Sequence, residues 1–209
     1  MVRRAYLDAA QVAVDLLAAP AVAARWTEPS ALWDMRVAGL AGHLARQVTQ
    51  VQKISGEPAP AGTPIGVLEH FARSTWNSTR PADAVHAEIR ERAEQSASVG
   101  LPVLLEETRA ALDSLRADLP TEPEDRVVEL RGLWCLTLDD LLTTRLLELV
   151  VHTDDLAVSV AVSTPEIPVA AADIVVDLLA RLAARRRGAI PVIRALSRAE
   201  RAPAAISAI

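Results

Sequence analysis

The 209-residue chain is long enough for one well-filled core, and a hydrophobic content of 51% excludes a disordered chain. Aromatic residues make up only 3%, so Leu, Val, Ala and Ile must build that core, which suits packed helices better than a β-sandwich or barrel. A net charge of -5 argues against a nucleic-acid surface, and the single basic run, Arg185, Arg186 and Arg187 before Gly188, fits a helix C-terminus and its dipole.

At the N-terminus Arg3, Arg4 and an Ala/Val/Leu run mimic a secretory signal. Asp8, Gln11 and Asp15 interrupt that run at helical spacing, which predicts an amphipathic first helix over residues 3–25. A turn around Pro29 and Ser30 follows. Val37, Leu40, Leu44, Val48 and Val51 then repeat every three or four residues, predicting a second helix over 36–55 closed by Gly56. A short helix is expected over 65–74, after the EPAPAGTP loop. Pro81 opens a long charged helical region reaching Leu119, with a break or kink at Gly100 and Pro102. RVVEL, residues 126–130, has the β-branched pair of a short strand. Thr137 and Asp140 resemble a capping box that starts a helix ending near Ala161. Two more helices are expected over 169–187 and 191–200. No segment is long and charge-free enough to span a membrane. Cys135 is the only cysteine, which excludes an intrachain disulfide and fits a reducing cytoplasm. Its LWCL context reads as core. Short loops between long helices favour an antiparallel bundle.

The helix after Thr137 carries a polar row. Leu141, Arg145, Glu148, His152, Asp155 and Ser159 are spaced by four, three, four, three and four, so they share one stripe. The other sides are almost entirely Leu and Val, so the helix should be buried. Buried charges need partners or a metal. One reading is a salt-bridge ladder, with Arg145 pairing Glu148 and His152 pairing Asp155 or Glu148. The other is a metal site, because Glu148 and His152, one turn apart, can converge on one ion. A third ligand must then come from another helix. His43, beside the core stripe of the second helix, is the candidate, whereas His70 and His86 have polar neighbours and read as exposed. Three protein ligands would leave a position for water or substrate, as in catalytic zinc sites.

MRVAGLAGHLARQV together with RLLELVVHTDDLAVSV resembles the mycothiol-dependent maleylpyruvate isomerase family, within the DinB-like metal-binding superfamily. ARW and PSAL between residues 24 and 32 and the tail IRALSRAERAPAAISAI extend the likeness. The resemblance implies an all-α, DinB-like four-helix bundle with one or two extra C-terminal helices. It implies a divalent metal, usually zinc, held by His43, Glu148 and His152. It also implies mycothiol or a related thiol bound at that metal, acting on a small electrophilic substrate by isomerisation or thiol transfer. Arg145 would contact a carboxylate of substrate or thiol, or pair with Glu148 or Asp155. Asp155 would orient a ligand histidine from behind. Homodimerisation is common for such bundles.

Two departures from the family stand out. After Pro165 too little chain remains for the family's mixed α/β C-terminal domain, so residues 1–209 are expected to form a single domain, which puts the maleylpyruvate reaction itself in question. Before the second helix, where relatives place Ser or Thr as N-cap, Asp34 is expected to serve. The competing expectation is a non-catalytic, stress-related bundle that binds a metal or ligand on the same scaffold.

Overall fold

Pro20 splits the first expected helix. The computed structural model, which describes residues 1–74, 83–130 and 132–208, places α1 over Val2–Leu17 and a short α2 over Pro20–Ala24, with Pro20 at the N-terminal position where its missing N–H is no loss. The remaining helices are α3 (Val37–Ser55), α4 (Val67–Arg73), α5 (Ala84–Ala97), α6 (Leu101–Asp118), α7 (Leu138–Ser159), α8 (Val169–Arg187) and α9 (Ala189–Ser197), followed by a 3-10 turn at Ala199–Arg201. The expected break falls at Gly100, whose φ of 83° begins α6 just before Pro102. The helix start expected at Pro81 lies outside the described residues.

The fold is all-α and DinB-like. α1, α3, α6 and α7 form a four-helix bundle, and α8 and α9 are the extra C-terminal helices. Side-chain contacts give the directions. Arg3 near the start of α1 bonds Asp139 at the start of α7 and the carbonyl of Leu119 at the end of α6. Arg25 reaches the carbonyl of Ser159 at the end of α7. His43 and Gln47 on α3 meet Glu148 and Arg145 on α7 in reverse order. The α1/α6 and α3/α7 pairs are therefore antiparallel, while α1 and α7 start at the same end.

The core is aliphatic, as the composition requires. Leu40, Leu44, Leu115, Leu138, Leu142 and Leu149 are each 0% exposed, and full burial of one such side chain stabilises by roughly 1.5–3 kcal/mol. Gly42 lets α5 approach α3 closely, since a Cβ there would collide with the carbonyl of Ala93. A second cluster, including Leu146, Leu147, Val175 and Leu178, seats α8 on the outer face of α7.

The strand expected at 126–130 is β1 (Val127–Leu130), and it pairs antiparallel with β2 (Trp134–Thr137), which the sequence did not signal. Buried Cys135 lies in β2 as a free thiol. Thr137 Oγ1 accepts from the Asp140 amide at 3.0 Å, the expected cap of α7. The cap expected for α3 is corrected. Arg36 holds that position with no side-chain bond, and Asp34, at φ 52°, lies 3.6 Å from Arg90 instead.

Candidate metal centre

The α3/α7 pairing brings three of the predicted residues together. His43 Nε2 lies 3.0 Å from Glu148 Oε2, and His152 Nε2 lies 3.4 Å from the same oxygen. The two imidazoles meet edge to face with centroids 4.7 Å apart. One ligand atom from each of the three residues lies within 4.8 Å of the others. Ligands bound at about 2.0–2.1 Å in a tetrahedral site sit about 3.3 Å from one another, so small side-chain adjustments would close the set on one ion. Two imidazoles and a carboxylate form a donor set that suits zinc. The three side chains keep 16%, 14% and 18% exposure, so one side of the cluster opens toward solvent.

Electrostatics match a site that exchanges a proton for a metal. Burial opposes charge on Glu148, but hydrogen bonds from His152 and His43 outweigh it and hold the carboxyl well below its usual range. Burial also opposes charge on His152, yet Asp155 and Glu148 carry its pKa up to about 9. His43 is pushed down, first by burial, and stays neutral. Neutral His43 therefore donates Nε2–H to Glu148, and protonated His152 bridges Glu148 and Asp155.

Asp155 stands behind His152. Its Oδ2 accepts from His152 Nδ1 at 2.9 Å, which leaves Nε2 directed at Glu148. Arg145 is placed differently from either pairing considered for it. Its Nη1 donates to Gln47 Oε1 at 3.1 Å and its Nε to Thr144 Oγ1 at 3.1 Å. Both acceptors are neutral, and no carboxylate among the described residues pairs with it. Of the salt-bridge ladder, only the His152 contacts to Glu148 and Asp155 are present.

Two neighbours escaped the sequence reading. Gln47, 2% exposed, donates Nε2 to the His43 carbonyl at 2.9 Å while its Oε1 holds Arg145, so it ties the guanidinium to the histidine helix. Its position four residues after His43 was the available signal. Tyr6 donates to the Gln47 carbonyl at 2.9 Å, and burial lifts its pKa far above the usual phenol range. His70, expected to be exposed, is instead 4% exposed and bonds Trp134. His86 is half-buried and away from the cluster of ligand atoms.

Residues 7–157 match the family model described as the mycothiol maleylpyruvate isomerase N-terminal domain. The chain belongs to this family. No curated protein and no solved structure matches it. The match to the mycothiol maleylpyruvate isomerase N-terminal domain takes in α3, nearly all of α7 and every residue of the triad, and it stops before α8. Surface clefts of about 750 and 570 Å³ lie against the end of α3 and along the α3/α6 groove, and neither is lined by the triad. Among the described residues no helix is long and apolar enough to cross a membrane.

Proposed function

We propose that this protein is a cytoplasmic, metal-dependent enzyme that uses mycothiol, or a related small thiol, to isomerise or transfer sulfur to a small electrophile, with residues 1–209 working as one domain. The observation that carries the reading is the convergence of His43, Glu148 and His152 within 4.8 Å on a partly open face. Family membership supports the thiol.

In this reading His43, Glu148 and His152 hold a divalent ion, zinc by donor type. The ion supplies Lewis acidity that keeps a thiol deprotonated near neutral pH. The chain supplies the rest. Asp155 fixes the tautomer of His152, so that Nε2 is the free lone pair once the ring's second proton is lost. Arg145 binds a carboxylate of substrate or thiol, because no carboxylate among the described residues pairs with it and its fork is held by Gln47 and Thr144. Tyr6 holds the backbone of Gln47 and thereby steadies that fork.

The test is calorimetry of the metal-loaded protein with mycothiol. Saturable binding is expected, lost in Glu148→Ala and weakened in Arg145→Met when the thiol or substrate carries a carboxylate. Stoichiometric metal without any mycothiol binding would instead leave a non-catalytic metal-binding bundle.

A further inference from the structure

α9 turns an apolar side outward. Ile190, Ile193 and Leu196 recur every three residues, so they share one face of the helix, and they are 56%, 56% and 70% exposed. Val192 is the one buried residue of α9, which packs on α8. Gly188, at φ 90°, makes the turn between the two helices. Aliphatic side chains exposed singly are ordinary on a protein surface. Three on one face of a nine-residue helix make a patch that points to a partner.

The same stretch carries a strong local charge. Arg185, Arg186 and Arg187 end α8, Arg194 lies in the last turn of α9, and Arg198 and Arg201 follow it. All six are exposed. From residue 185 onward the only acidic side chain is Glu200, although the whole chain has a net charge of -5. Glu200 lies 3.6 Å from Arg201. Among the described residues no carboxylate pairs with the other five arginines. Arg186 and Arg187 donate to the carbonyls of Ala208 and Ser207, which are neutral acceptors. Helix dipoles favour arginine at the two helix ends. They do not explain the aliphatic face, which Arg194, four residues after Ile190, borders.

We propose that α9 and the basic end of α8 form a docking surface for an anionic lipid bilayer, with Ile190, Ile193 and Leu196 entering the interface and the arginines meeting lipid phosphates. A bilayer answers both halves of this surface. The boundary of the acyl chains takes the aliphatic face, and anionic headgroups take the guanidinium groups. Arginine stems lie along the apolar boundary while their heads reach phosphate oxygens. A nucleic acid would match the charge and leave the aliphatic face in water. A second copy docked α9 to α9 about a two-fold axis would set the same arginines against one another. Among the described residues no helix is long and apolar enough to cross a membrane, so the attachment is peripheral and reversible. It uses none of the metal-centre residues.

The experiment is co-sedimentation of the full chain with vesicles of equal parts phosphatidylglycerol and phosphatidylcholine, and with vesicles of phosphatidylcholine alone. Wild type is expected to bind the anionic vesicles, to bind the neutral ones far more weakly, and to be released by high salt. Arg185→Gln, Arg194→Gln and Arg198→Gln combined should weaken binding about a hundredfold, at about fivefold per arginine. Arg4→Gln, Arg73→Gln and Arg109→Gln combined change the net charge equally at exposed positions elsewhere, and should bind like wild type. Ile193→Ser with Leu196→Ser keeps every charge and should weaken binding about tenfold. Both α9 residues are exposed, so circular dichroism should show each variant folded. Equal binding to both vesicle types, equal loss in the two arginine triples, or full binding by the Ser variant would overturn the proposal. So would absence of vesicle binding by wild type, and a dimer in sedimentation equilibrium that Leu196→Asp dissociates would then assign the face to a second copy.

Discussion

α7 presents two faces built on different physical rules. On one, Leu138, Leu142, Leu149 and Leu156 are each 0% exposed and fill the bundle core. On the other, Arg145, Glu148, His152 and Asp155 keep partial exposure, and Arg145 and Glu148 meet α3 through polar atoms. The apolar face is set by volume, so residues of similar size can exchange there at modest cost. The polar face is set by atom position. His43 and Gln47 are matched to Glu148 and Arg145 by antiparallel register, and a shift of one residue would destroy every contact. The two faces share one helix, so the packing of the first provides the rigidity that the second needs.

Substitutions at either face separate the two roles. The largest effect is expected in the core. Leu142→Ala should lower unfolding free energy by about 2–5 kcal/mol in urea titration, while metal stoichiometry stays unchanged wherever the variant is folded. Loss of metal binding in a well-folded Leu142→Ala protein would show that the faces are not separable. On the polar face, Asp155→Asn should weaken metal binding by about 10–100-fold, because the histidine loses its orienting acceptor. Its effect on unfolding should be smaller than that of Leu142→Ala, and the reverse ranking would contradict the division of labour.

The pH dependence gives a third, graded effect. His152 has its pKa raised to about 9, so at neutral pH a metal must displace its proton. Apparent metal affinity should therefore rise about tenfold per pH unit from pH 7, flattening above the folded pKa, as measured against a competing chelator. The same shift stabilises the metal-free fold. That contribution is complete below the unfolded histidine pKa and is lost as pH rises through about 9. An affinity that is flat from pH 7 to 8.5 would mean that His152 is already neutral.

The apolar face was readable from sequence because periodicity reports burial directly, and α3, α7 and α8 fall close to where it placed them. β2 was missed because LWCLT lacks alternation and its partner strand is what makes it a strand. The α1 break was missed because Ala-rich sequence continues on both sides of Pro20. On the polar face, Glu148 and His152 were visible as a one-turn pair and His43 as the histidine beside the core stripe of the second helix, and the family motif then joined the three. Arg145 was visible, but not that its acceptors are neutral, because Gln47 lies 98 residues away in sequence. His70 was misread from its neighbours. Glu69 and Arg73 form an exposed ion pair on the outer face of α4, and its own partner, Trp134, lies 64 residues further on.

The row on α7 and His43 are proposed to form one metal-binding layer. Metal analysis of protein purified without chelator tests it most directly, with His152→Ala as the paired control. Close to one divalent ion per chain is expected in the wild type and none retained in the variant. Wild-type protein that is folded yet holds no stoichiometric metal, and takes up none on titration with zinc, would contradict it.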